Sequence, residues 1–234
     1  MIMRNSVKIL AITALTLMAT SCYFRVPKNG GNKSIFGLTR GDGNVIDKEY
    51  VVEPFDKIHN EAALDIRFAQ DSSTMVRIHA DSNIVELLDV SVEDGTLTIK
   101  TEANNLIFEG ESYIYVACPS IKEVHGSGSG DFDMQDFRLD SLALAFSGSG
   151  DIFLKDGSVN WLSISTSGSG DIKIDGINGK DVKCETAGSG DISISGEVKN
   201  LKARTAGSGD IDIRKLKYES KDVSTSGSGD IFTE

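Results

Sequence analysis

Three observations predict an all-β fold built as a parallel β-helix, or β-solenoid, with coils of about 20 residues. First, the tetrapeptide Gly-Ser-Gly-Asp occurs six times, ending at Asp131, Asp151, Asp171, Asp191, Asp210 and Asp230, with spacings of 20, 20, 20, 19 and 20. A fixed period in this range marks a repeat stacked on itself. Second, apolar residues alternate with polar ones on both sides of each aspartate, the period of a half-buried strand. Third, the chain is rich in Gly, Ser and β-branched residues and poor in helical periodicity.

The first 21 residues read as an export signal. Arg4 and Lys8 precede an apolar run of ten, Ile9–Met18, too short to cross a bilayer as a helix. Ala19-Thr20-Ser21 then leads to Cys22, an order similar to the lipobox of bacterial lipoproteins, although Ala19 stands where leucine is commonest. Acylation of Cys22 is therefore expected, and several acyl chains make a stable anchor. The alternative is an ordinary cleaved signal with an incidental cysteine. Residues 22–46 contain Gly30, Gly31, Gly37, Gly41 and Gly43 and read as a flexible tether. The residues after Cys22 are Tyr-Phe-Arg-Val-Pro-Lys rather than acidic, which favours the periplasmic face of the outer membrane over the cell surface.

Residues 47–120 form an N-terminal β region. Leu64/Ile66/Phe68, Val76/Ile78, Val90/Val92 and Leu97/Ile99 alternate, with breaks at Gln70–Ser73 and Glu93-Asp94-Gly95 and a short helical turn at Ile84–Leu88. This region is expected to continue the sheet and cap the N-terminal end of the stack.

Residues 121–234 hold the six coils. Counting back from each aspartate, positions −9, −7 and −5 are apolar or Thr in the middle units, as in Leu142/Leu144/Phe146, Leu162/Ile164/Thr166, Val182/Cys184/Thr186 and Leu201/Ala203/Thr205. Positions +1 and +3 are again apolar, as in Ile152/Leu154 and Ile172/Ile174. Each coil therefore carries two short inward strands joined at Gly-Ser-Gly, where glycine reaches turn angles without steric cost. A second bend follows +3. The last coil stops at Asp230-Ile231-Phe232-Thr233-Glu234, and open solenoid ends expose core and strand edges. That end is expected to be covered by another subunit, making a homo-oligomer, or by the N-terminal region folding back.

The formal net charge is −11, and removing Arg4 and Lys8 with the signal leaves −13. So acidic a body is a poor partner for nucleic acid, whose phosphates call for clustered Lys and Arg. Three cysteines are too few for a disulfide framework. Cys184 falls at a −7 core position and Cys118 precedes the first coil. They stand roughly 14 Å apart along the stack at strand spacing, beyond the ~7 Å that a disulfide spans.

The six aspartates are the obvious chemical candidates. Stacking puts like charges about 4.8 Å apart, a repulsion of roughly 1 kcal/mol each in water, so something must offset it. Ca²⁺ between coils is one answer. Hydrogen bonds from turn N–H groups are the favoured one, so no cofactor is expected. His59, His79 and His125 are scattered and read as satisfied surface or edge residues. Arg40-Gly41-Asp42 spells an adhesion tripeptide but sits in the presumed tether, where chance accounts for it. Trp161 is a lone aromatic near a bend that suits a carbohydrate surface without deciding for one. The outward positions lack the basic cluster of a polysaccharide lyase, so no enzyme activity is expected.

Four stretches together resemble one known family: Val52-Glu53-Pro54-Phe55-Asp56-Lys57-Ile58, Asp94-Gly95-Thr96-Leu97-Thr98-Ile99, Ala117-Cys118-Pro119-Ser120-Ile121 and the Gly-Ser-Gly-Asp coils. Their order over residues 40–234 is similar to that of the auto-transporter adhesin "head GIN domain" family of bacterial secreted proteins. The resemblance implies a solenoid at the cell envelope, adhesive in role and without a catalytic motif. A Ca²⁺-dependent adhesin and a self-assembling scaffold are the alternatives.

Overall fold

The computed structural model describes residues 38–103 and 105–233. Almost all of the regular structure is strand, and the coils stack in parallel with a period of about 20 residues, as the repeat predicts. The pairing is residue for residue. Leu142, Leu162, Val182 and Leu201 are ladder partners in succession, and so are Val124, Leu144, Ile164, Cys184 and Ala203. On the other side of the corner Ile66, Phe132, Ile152, Ile172, Ile192 and Ile211 form one column. Both sets are buried. In-register stacking lets each aliphatic side chain lie on its own kind, while the ladder pairs the backbone between rungs.

The bend after +3 is more than a bend. Arg138 and Leu139 pair with Ser158 and Val159, and these pair with Asn178 and Gly179. The segment is a third inward side, burying Phe137, Leu139, Val159, Ile177, Val198 and Leu216. It escaped the pattern because large residues alternate with glycine from rung to rung. A Cβ on Gly157 would lie 2.1 Å from the Phe137 ring, so Phe137 occupies the space that Gly157 leaves. The same exchange occurs at Gly126, whose missing Cβ makes room for the ring of Phe146.

The solenoid also starts earlier than residue 121. The strand Lys57–Asn60 pairs in parallel with Glu123–Gly128, and Asp65–Gln70 pairs in parallel with Phe132–Gln135, so residues 57–70 form a rung of their own. Thr96–Thr101 and Tyr113–Cys118 stack on it in parallel. Antiparallel strands then close this end: Leu88–Glu93 covers Thr96–Thr101 through an Asp94-Gly95 hairpin, and Met75–Asp81 covers Tyr113–Cys118. Asp94 and Gly95 have φ of 47° and 72°, the pair of positive angles that a two-residue hairpin requires. The expected cap is thus present. A short helix, Ser82–Val85, falls beside the turn expected there.

Two expectations are corrected. Residues 39–46 belong to the fold rather than to a tether. Thr39–Arg40 pairs with Leu106–Ile107, and Val45–Tyr50 pairs antiparallel with Met75–Asp81. The anchor of this segment is Asp81, fully buried, whose carboxylate accepts the Gly43 N–H at 2.9 Å and the Glu109 N–H at 3.0 Å. Buried charge needs such partners. Among the described residues, the N-terminal β region does not fold back over the last coil, because its strands pair with the first coil instead. At the last rung, Lys221 takes the place of Leu201 and Tyr218 that of Val198, with the ammonium 4.9 Å from the Tyr218 ring centre. Ile231 and Phe232 remain 38% and 39% exposed.

The glycines of the corner are fixed by the backbone of the rung before. Gly188 has φ of +142°, and a Cβ on it would lie 1.8 Å from the Gly168 carbonyl oxygen. Gly43 also has positive φ, +74°, but nothing lies within 4 Å of its Cβ position. Gly188→Ala should cost about 3 kcal/mol or more, from strain plus overpacking. Gly43→Ala should cost only about 1 kcal/mol, the left-handed penalty alone. Urea unfolding of the two variants checks this, and equal losses would contradict the contact.

Candidate functional site: the aspartate ladder and the outward faces

Each Gly-Ser-Gly-Asp corner places its aspartate where the chain leaves the turn and enters the next strand. There the aspartate makes two backbone bonds to the rung before it, one as donor and one as acceptor. Its N–H donates to the carboxylate of the aspartate one rung earlier: Asp151 to Asp131, Asp171 to Asp151, Asp191 to Asp171, Asp210 to Asp191 and Asp230 to Asp210, all to Oδ1 at 2.8 Å. Its carbonyl accepts an N–H from the rung before, as Asp171 does from Ile152 at 2.9 Å. Beside it the Ser169 N–H donates to the Gly148 carbonyl at 3.0 Å, and Ser149, Ser189, Ser208 and Ser228 repeat the bond. The favoured reading of the aspartates, acceptors for turn N–H groups, matches this geometry, with the donor supplied by the following rung.

Asp65 is a member that the repeat did not reveal. The Asp131 N–H donates to its Oδ1 at 3.0 Å, so the ladder begins one rung before the first Gly-Ser-Gly-Asp. Its signal was Asp65-Ile66-Arg67-Phe68, the same apolar +1 and +3 pattern without the glycines. Burial pushes the Asp131 carboxyl up from its ordinary value, against the lowering bond from the Asp151 N–H, and the charges of Asp65 and Asp151 add to the rise.

The remaining candidates separate clearly. Cys118 and Cys184 are both free and buried. Burial pushes the thiols up to about 11 and about 12, so neither is a thiolate at neutral pH. His59 and His125 are not scattered: they are ladder partners on adjacent rungs, with ring centres 6.0 Å apart, each beside its own glutamate, Glu61 and Glu123. His79 stacks on Tyr113 at 4.9 Å and meets Asp47 at 3.0 Å. Among the described residues no group of three or more His, Cys, Asp or Glu has metal-binding geometry. Arg40-Gly41-Asp42 is held in place. Arg40 pairs with Glu109 at 2.6 Å, Gly41 packs on Asp81, and Asp42 accepts the Ser82 hydroxyl at 2.6 Å. Trp161 points outward and is 45% exposed. Cys22 lies outside the described residues.

The outward columns differ from rung to rung, unlike the inward ones. The −8 column reads Glu123, Ala143, Ser163, Lys183, Lys202 and Asp222, and the −6 column reads His125, Ala145, Ser165, Glu185, Arg204 and Ser224.

Asp131→Ala removes the acceptor for the Asp151 N–H and should cost about 1–2 kcal/mol. Asp131→Asn keeps an acceptor oxygen and removes the repulsion, so it should match or exceed wild type at neutral pH. The sign follows from the raised folded-state value. The native state holds the Asp131 proton more tightly than the unfolded chain, so that contribution is present in acid and declines as pH rises through the raised value. Urea melts at acid and neutral pH should show the Asn variant gaining on wild type as pH rises, and a gain toward acid would contradict the assignment.

Comparison with known proteins follows the same lines. Residues 54–233 match the family model described as "putative auto-transporter adhesin, head GIN domain". No curated protein matches the chain. Among solved structures, the chain is similar to a putative adhesin from Bacteroides fragilis NCTC 9343, with 23% identity, a TM-score of 0.62, and 84% of this chain and 100% of that one covered. It is also similar to a putative lipid binding protein from Parabacteroides distasonis ATCC 8503, with 23% identity, a TM-score of 0.69, and 84% and 99% covered. At that identity the two structures speak to the fold. The family match spans residues 54–120 of the N-terminal region and every Gly-Ser-Gly-Asp corner, and on it the chain belongs to the "putative auto-transporter adhesin, head GIN domain" family.

Proposed function

We propose that this protein is a non-enzymatic, lipid-anchored rod of the cell envelope that binds its partner through the outward side chains of its rungs. One observation carries the reading. The repeated chemistry of the chain is used up within the stack, each Asp carboxylate holding the next Asp N–H, while the variable chemistry faces solvent. Repetition serves stacking, and recognition is left to the positions that change. Both described thiols are buried and protonated, so neither offers a nucleophile. Among the described residues no helix is long and apolar enough to cross a membrane, and attachment on this reading falls to lipid on Cys22.

The anchor is tested by labelling cells with an alkyne fatty acid and fractionating them. Wild type should carry label and sediment with outer membrane, and Cys22→Ser should lose the label and become soluble. A Cys22→Ser chain that stays in the membrane, or an unlabelled wild type, would overturn the anchor. Protease shaving of intact cells then assigns the face: removal places the rod at the surface, where adhesion to a host or another cell operates, and protection places it in the periplasm.

The Asp column on this reading is structural and needs no cation. Thermal melts with Ca²⁺ or EDTA should superimpose. A Ca²⁺-induced rise that EDTA reverses would replace this with the Ca²⁺-dependent adhesin. On this reading the last rung, with Ile231 and Phe232 exposed, is also the surface for self-association, and light scattering in the same solutions should show a dimer that dissociates on dilution. A strict monomer at high concentration would remove that part of the reading.

A further inference from the structure

The corner before the −9 position turns two consecutive side chains outward, and there the column Ser141, Trp161, Asp181, Asn200, Ser220 runs along the stack. Beyond Trp161 this column is hydrogen-bonded rung to rung. Asn200 Nδ2 donates to Asp181 Oδ1 at 2.8 Å, and the Ser220 hydroxyl donates to Asn200 Oδ1 at 2.8 Å. The three side chains make the floor of a shallow groove of about 320 Å³, with Trp161 at one end and Lys183, Lys202 and Lys221 along the side.

Three features decide what fits. The indole is open because its neighbour on the preceding rung is only Ser141, too short to cover it. The floor offers amide, carboxylate and hydroxyl groups already held in place by one another, so ordering them costs a ligand little. The charge leans positive. Three lysines line the groove against Asp181 and Asp222; Asp222 is engaged by Arg204 at 2.8 Å, Lys183 by Glu185 at 2.7 Å, and the Lys221 ammonium lies over the Tyr218 ring. Lys180 and Lys199 adjoin Asp181 and Asn200 in the chain, and Glu219 adjoins Ser220. Lys202 makes no ion pair or hydrogen bond among the described residues, and it is the cation left open to a ligand. This concentration of cations stands on a chain of net charge −11.

We propose that this groove binds an acidic saccharide. The CH face of a pyranose covers the indole, an aromatic body with no competing ring beside it. Ring hydroxyls meet the Asp181–Asn200–Ser220 floor. A carboxylate or sulfate meets Lys202, with Lys183 beside it on its Glu185 partner. A segment of polypeptide would gain nothing from the polar floor that an exposed strand edge does not offer better, and a lipid chain would find no apolar wall opposite the ring. The proposal rests on the reading of the outward columns as the recognition surface.

Trp161 is the chain's single tryptophan, so its fluorescence reports this groove alone. The test titrates the full chain, in a non-ionic detergent free of sugar, with oligogalacturonate, with a chondroitin sulfate oligosaccharide and with neutral maltohexaose. At least one acidic probe should shift or quench the emission saturably, with affinity about tenfold or more above that for maltohexaose. Lys202→Ala, at a half-buried position whose side chain makes no ion pair or hydrogen bond among the described residues and whose loss leaves the melting temperature near wild type, should weaken that binding about tenfold. Calorimetry on Trp161→Ala should show binding lost. No saturable response to either acidic probe, an equal response to maltohexaose, or unchanged binding by the lysine variant would each overturn the proposal. These outcomes are independent of the Cys22 labelling. A labelled, membrane-bound chain with a flat titration keeps the anchored rod and discards the groove, whereas a saturable titration with an unlabelled chain does the reverse.

Discussion

Backbone lies directly on backbone at the Gly-Ser-Gly corner, and the rest of the architecture follows from that contact. The carbonyl oxygen of one glycine sits where the next rung's glycine would carry its Cβ, within about 2 Å at Gly148, Gly168, Gly188, Gly207 and Gly227. The second glycine of each corner is enclosed in the same way, as at Gly170 over the Gly150 carbonyl. No other residue fits at either place, so both glycines must return at each of the six repeated corners. Once the corners superimpose, the strands on both sides are forced into the same register. Isoleucine then lies on isoleucine, because any slip would carry every side chain to the wrong face.

The aspartate solves the electrostatic problem that stacking creates. A column of carboxylates at strand spacing repels itself, and a corner stripped of side chains leaves N–H groups short of acceptors. One arrangement answers both, since each charge is held by the amide of the next rung. The same bond makes the rungs interdependent, because a rung without a successor leaves its carboxylate without that amide. Stability should therefore grow by nearest-neighbour terms along the rod, as in other stacked repeats. The N-terminal end is finished differently, with antiparallel strands and a buried Asp81 that clamps residues 41–43.

Much of this was legible in the chain itself because the repeat is nearly exact where backbone geometry demands it. Gly-Ser-Gly-Asp, the −9/−7/−5 positions of the middle units and the apolar residue at their +1 carry the period, and these fall where expected. The third side was hidden because it is filled by exchange: the Phe137 ring fills the space that Gly157 leaves on the next rung, and Gly179 is small beside Val198. Composition-level alternation cannot see a position whose volume is shared between rungs. Asp65 was hidden because its rung turns through Asn60–Leu64, where Asn60 Nδ2 donates to the Leu64 carbonyl at 2.8 Å, a side chain doing what glycine does elsewhere. Residues 39–46 were read as tether for their glycines, yet Gly41 is there to clear the Asp81 carboxylate. The pairing of His59 with His125 required knowing that residues 57–60 stack under the first coil. Of the candidate surface, Trp161 could be named from the chain but its lysine neighbours could not, since they come from three later rungs.

The central claim is that successive corners are hydrogen-bonded to one another in register. Scalar couplings across hydrogen bonds, measured by NMR on isotope-labelled protein, test it without reference to any side chain. The Ser189 amide nitrogen should show a coupling to the Gly168 carbonyl carbon, and Ser169 one to Gly148, in line with their 3.0 Å contacts. Couplings from these amides to any other carbonyl, or serine amides that exchange with solvent at unprotected rates, would contradict the stacked corner and the fold built on it.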